Sequence, residues 1–307
     1  MKHRKLSLAC TALAMAVLIL DSRRTMSAAA DAIDLCIRTV IPSLFPFFIL
    51  SIYLTGNLGA RSAVGSVLTA GFLGGYPVGA QAAAESWHKG FLTKEEADRL
   101  LMFCSQAGPS FLFGMVTAQF PNMEYSWKLW IVQLVSALSV GLLVRKEESI
   151  NDAPAITGTS LPMAMKKSTQ AMASVCGWVV IFRVLLGYLP LLPLADSLRI
   201  LLSGILELAN GCLLLGQIPD VPLRFLVAAV MLNFGGICVL LQTASVAQGL
   251  NIRRYFFGKL LQSGFSLCYG LCIMGIFWGL IPPILAFLLF SKGILRKNSS
   301  IPAGVGV

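Results

Sequence analysis

Apolar stretches long enough to cross hydrocarbon alternate along the chain with short polar segments, and several stretches contain clusters of glycine, proline and amide side chains. A spanning helix needs roughly 20 mostly apolar residues. On that measure the pattern predicts seven spans, at 6–20, 35–55, 99–120, 128–144, 168–190, 223–246 and 262–290. Two further segments, 62–86 and 198–216, are apolar but interrupted. A complete crossing by 62–86 would put the next basic loop on the wrong side of the membrane. Both segments are therefore read as re-entrant hairpins.

The elements after residue 30 then fall into two units with the same order, 31–150 and 160–290. Each has three crossings and one hairpin, so the second unit runs upside down relative to the first. Inverted repeats with interrupted helices are a recurrent architecture of secondary transporters. The expected fold is an all-α polytopic membrane protein of about seven spans and two hairpins, forming a single integral membrane domain over 1–307 with a tail at 291–307. The first segment, 1–30, has a basic start, an apolar stretch and the small residues Ser27-Ala-Ala-Ala30. It is read as an uncleaved signal anchor, with a cleaved signal peptide as the alternative.

Composition supports the membrane reading: 56% of residues are hydrophobic and 12% charged, against about 25% charged in soluble domains. The net charge of +10 comes from basic residues scattered between apolar segments. That is the trace of positive-inside loops, not of a nucleic-acid face. The eight cysteines form no CxxC pair and the chain has two histidines, so neither a disulfide framework nor a metal site is expected. No HExxH, P-loop or GxSxG signature occurs. The chain is read as a non-enzyme without a cofactor, its coupling ion (H+ or Na+) left open. Its expected partners are the lipid bilayer, a small-molecule substrate and a second copy of itself.

The interruptions carry the candidate chemistry. The first hairpin has Gly74, Gly75, Tyr76, Pro77, Gly79 and Gln81, and the span that follows has Ser105, Gln106, Gly108, Pro109 and Ser110. The second hairpin has Glu207, Asn210 and Gly211, and the span after it has Asn233 and Gly235. Broken helices expose N-terminal N–H donors suited to anions, and freed carbonyls suited to cations. Glycine at such places can also serve close helix packing alone. Glu207 is the single carboxylate placed at mid-membrane, where a charge marks a functional or paired group. It is expected to bind substrate, carry a coupling proton or pair with Arg183. Thr93, three residues before Glu96, has capping-box spacing and should start a helix.

Gly74-Gly-Tyr-Pro-Val-Gly-Ala80, Ala97-Asp-Arg-Leu-Leu101, Phe103 and Gly108-Pro-Ser-Phe111, with Leu206-Glu-Leu-Ala-Asn-Gly211, resemble the sporulation integral membrane proteins of the YlbJ type. These belong to the nucleoside-recognition, or gate-domain, family. The resemblance spans about residues 30–280. Ser105-Gln106-Ala107 departs from it, standing where relatives are asparagine-rich. The resemblance implies a fold related to concentrative nucleoside transporters. The implied role is movement of a small polar or anionic metabolite, dipicolinic acid during spore formation, across the outer forespore membrane. The alternatives are a non-transporting assembly or signalling scaffold with the same fold, and a nucleoside transporter.

Overall fold

The computed structural model describes residues 12, 15–57, 62–144 and 158–287. Every regular element among them is helical. Most of the 6–20 span, the basic loop at Arg145-Lys146 and the tail after 287 lie outside the described residues.

Residues 15–20 are helical, and after a turn at Asp21 comes α1 (Ser22–Asn57), which carries a π-helical turn at Cys36–Val40 and Pro46 in its interior. It begins earlier than the 35–55 span read from hydropathy. Ser27–Ala30 lie inside it, with Ala28 buried against Gly187 while Ser27 and Ala30 are exposed. A broken pair follows, α2 (Ala63–Gly74) and α3 (Val78–His88). The next helix is interrupted as well: α4 (Lys94–Leu101) unwinds over 102–108 and resumes as α5, a mixed helix of Pro109–Phe111, the π turn Leu112–Val116 and the 3-10 turn Thr117–Gln119. The uninterrupted α6 (Glu124–Leu143) completes this part.

After the loop come α7 (Leu161–Gly187), the broken pair α8 (Asp196–Leu206) and α9 (Leu208–Leu214), and the interrupted pair α10 (Val221–Phe234) and α11 (Gly236–Val246). Then follow α12 (Ile252–Ile273) and α13 (Phe277–Phe287). Among the described residues five helical stretches are long and apolar enough to cross a membrane: Ser22–Asn57, Glu124–Leu143, Leu161–Leu191, Val221–Val246 and Ile252–Ile273. The expected 99–120 span is instead split by seven non-helical residues, and the 262–290 span turns at Met274–Ile276 with Gly275 at φ +87°.

Local chemistry explains where the elements start. Thr93 Oγ1 accepts from Glu96 N at 3.2 Å while Glu96 Oε2 accepts from Thr93 N at 2.7 Å. This is the reciprocal capping box expected from the spacing. Asp220 caps α10 through Leu223 N at 2.7 Å with Pro222 in the first turn, and Asn251 caps α12. The buried Asp98 accepts from Asn251 N at 2.7 Å, tying the start of α12 to α4.

The helix pairs are held by close backbone approach. A Cβ on Gly79 would lie 2.6 Å from Gly71 Cα, and one on Gly211 would lie 2.3 Å from Gly204 Cα. Each broken pair thus crosses on two glycines, where backbones can approach as side chains would forbid. The main apolar core joins both parts of the chain, running from Tyr76, Ala107 and Leu112 through Leu129 to Leu208, Phe225 and Leu232.

Candidate functional site

The breaks meet in the middle of the molecule. Gly75 (φ +88°) and Gly108 are so close that a Cβ on Gly75 would lie 3.0 Å from Gly108 N. Unwinding 102–108 frees backbone groups that must be paired when buried, and side chains do this. Gln106 Nε2 donates to Phe103 O at 2.7 Å, and Gln133 Nε2 to Ala107 O at 2.8 Å. The Lys259 ammonium donates to Ser105 O and, at 2.8 Å, to Gln262 Oε1. Gln262 Nε2 in turn donates to Gln106 Oε1 at 2.5 Å and to Asn233 Oδ1 at 2.7 Å. Asn233 closes the chain on Ala229 O at 2.7 Å. A buried network of this kind fixes one arrangement of the elements it joins; within it the Oε1 of Gln133 is buried without a partner.

Tyr76 links the two halves. Its hydroxyl donates to Leu232 O at 3.0 Å and to Asn233 O at 3.3 Å, carbonyls freed where α10 stops at Gly235 (φ +82°). Its ring faces the Lys259 ammonium, 4.8 Å from the ring centroid. Removing only the hydroxyl, in Tyr76→Phe, is expected to lower unfolding free energy by about 1 kcal/mol, the net value of a buried hydrogen bond. A melting temperature equal to wild type in the same detergent would rule out the link as a stabilising contact.

Glu207 is the break between α8 and α9. Its backbone is extended (φ −145°, ψ 118°), and its two carboxylate oxygens accept from Ala209 N at 2.9 Å and Asn210 N at 2.6 Å. The carboxylate is buried and forms no ion pair with Arg183. Of the roles read from the sequence, direct ion-pair contact with Arg183 is not formed, although the Arg183 charge acts on the carboxylate from further away, and the start of α9 is filled by the chain's own anion. Glutamate is not a favoured N-cap type, so the residue pattern gave no sign of this cap.

A cavity of about 60 Å³ lies at this meeting point. Tyr76, Gly108, Phe111, Glu207, Val239 and Gln242 are among its lining residues. Of the residues singled out in the sequence, Tyr76, Gly108 and Glu207 reach this cavity, with Gly75, Gly79, Ser105, Gln106, Asn233 and Gly235 in the contacts just behind it. Gly211 serves the α8–α9 crossing, and Asn210 contributes its N–H to Glu207. Pro77 precedes the first turn of α3 and is joined to Tyr76 by a cis peptide bond. Others point elsewhere. Gly74 borders an outer groove between α1 and α2, and Ser110 is exposed in a second groove with Arg38 and Thr39. Gln81 has a buried Oε1 without a partner, and Arg183 is not among the cavity's lining residues.

The residue most plainly missed by sequence reading is Lys259. It falls in the basic run with Arg253 and Arg254 that reads as a loop, yet it is 1% exposed inside α12. The signal was present: Lys259, Gln262, Ser263 and Ser266 recur at i, i+3, i+4 and i+7, a polar stripe on an otherwise apolar helix. Gly258 lets that stripe approach the unwound segment, since a Cβ there would lie 2.4 Å from Met102 O.

No family model matches the chain, and no solved structure matches it. The chain is 26% identical to the sporulation integral membrane protein YlbJ of Bacillus subtilis (strain 168), over 321 aligned positions covering 83% of this chain and 78% of that protein. With its apolar helices and this relative, the chain is an integral membrane protein homologous to the YlbJ-type sporulation proteins that its glycine and proline motifs resemble.

Proposed function

We propose that this protein is a carrier that moves a small polar or anionic metabolite across the membrane, with dipicolinic acid during spore formation as the substrate and the outer forespore membrane as the place. The observation that carries the reading is the cavity lined by three helix interruptions, at Tyr76, Ala107–Gly108 and Glu207. Transporter sites lie near the midplane where discontinuous helices of two repeats meet. The shared element order of α2–α6 and α8–α12, each with a pair crossing on glycines, supports an inverted repeat behind that geometry. Glu207 already occupies the α9 start, so a substrate's polar groups are assigned to the cavity's other polar lining residues, Ser43, Tyr76 and Gln242.

At about 60 Å³ the cavity holds a few water molecules, whereas small-molecule sites enclose about 300–1,000 Å³. Carriage therefore requires widening at the breaks as one repeat rocks against the other. The same small volume favours the second reading, a sporulation membrane scaffold that keeps the fold without transport. Proteoliposomes and labelled substrate separate the two. The carrier should accumulate labelled dipicolinate, and Pro77→Ala should cut the initial rate at least about tenfold with unchanged expression. Folded protein that takes up neither dipicolinate nor nucleoside removes the carrier reading, and uptake of nucleoside alone moves the substrate to that class.

A further inference from the structure

Carbonyls freed by unwinding inside a membrane are where interrupted transporter helices coordinate a monovalent cation. In this chain Ser105 O, on the unwound stretch 102–108, already accepts from a cation, the Lys259 ammonium. The other groups around that ammonium are Gln262 Oε1 at 2.8 Å and the ring faces of Tyr76 at 4.8 Å and Tyr255 at 5.9 Å. All are neutral, and among the described residues Lys259 forms no ion pair. A backbone carbonyl, an amide oxygen and π faces are also what a bare alkali cation takes as ligands. A buried ammonium without a counter-charge is costly. The carbonyl, the amide oxygen and the two ring faces are what the chain offers to hold that charge.

We propose that the Lys259 ammonium is a tethered cation, occupying the site that a free sodium ion would otherwise fill between 102–108 and α12, so that the protein holds this junction together without sodium. The placement explains several neighbouring features. Gly258 brings α12 against Met102, the stem of Lys259 follows the helix inward, and its head draws Ser105, Gln262 and Tyr76 to one point. Through Gln262 the same head fixes Gln106 and Asn233, one from each interrupted helix. The inference deepens the carrier reading, because it assigns the ion dependence of that site.

Its test needs no transport. The full-length protein is purified in detergent and melted at equal ionic strength in sodium, potassium or choline chloride. The wild-type melting temperature should be the same in all three salts. Lys259→Ala should melt lower in choline and regain at least about 3 °C in sodium, as expected when an ion binds only the folded state. A sodium-dependent rise in the wild type overturns the proposal. So does a Lys259→Ala protein that melts like wild type in choline, or one that is lowered and unmoved by sodium. If the alanine variant does not fold, Lys259→Met retains the apolar stem and is read in the same way. If that fails too, the wild-type comparison decides. A protein that carries no substrate leaves these outcomes unchanged, so failure of the carrier reading is seen separately.

Discussion

Gly71→Ala is expected to yield little or no folded protein. A Cβ at this position would sit 1.6 Å from Cys104 O and 2.7 Å from Cys104 C, and both are backbone atoms. No side-chain rotation relieves such an overlap. The unwound stretch 102–108 would have to move as a unit, breaking the bonds that Lys259, Gln106 and Gln133 make to its carbonyls. Ordinary overpacking costs about 1–3 kcal/mol, and the loss here should exceed that range. Gly177→Ala on α7 is the matched control, since a Cβ there meets nothing within 4 Å. It should be neutral or stabilising by up to about 1 kcal/mol, the difference in helix propensity. Size-exclusion profiles and melting curves of the two variants make the comparison. If Gly71→Ala melts with the control, the crossing of α2 against 102–108 is wrong.

The second large effect is at Glu207. Glu207→Leu removes both acceptors that serve Ala209 N and Asn210 N. Each buried donor left unpaired costs about 1–3 kcal/mol, so the pair amounts to about 2–6 kcal/mol, reduced by relief of the carboxylate's own desolvation. Glu207→Gln keeps one acceptor oxygen and should lose about half as much. The graded order, wild type above Gln above Leu in melting temperature, is what distinguishes a capping carboxylate from one merely buried. Equal stability of all three would show that the cap does not hold α9.

These positions also show how far the sequence could be read. The breaks were legible because glycine and proline stand beside Gln, Asn or Glu within apolar runs, at 74–81, 103–111, 204–211 and 232–237. All of them are interruptions in the fold. The capping box at Thr93 was legible for the same reason, a local rule with a fixed spacing. What escaped was set by contacts distant in sequence. Lys259 reads as a loop residue until Ser105, 154 positions away, receives its ammonium. Arg183 and Glu207 look like partners by charge alone, yet backbone N–H groups two and three residues ahead satisfy the carboxylate instead. Ser110 follows Pro109 in the resemblance motif, but the first turn of α5 points it outward.

The tyrosine that bridges the halves has a consequence for how the molecule can move. One side chain holds the α10 carbonyls through its hydroxyl, faces the α12 ammonium with its ring and belongs to the tip between α2 and α3. The two breaks therefore do not have independent degrees of freedom. Displacing either one breaks contacts of the same side chain, so movement at one break is transmitted to the other.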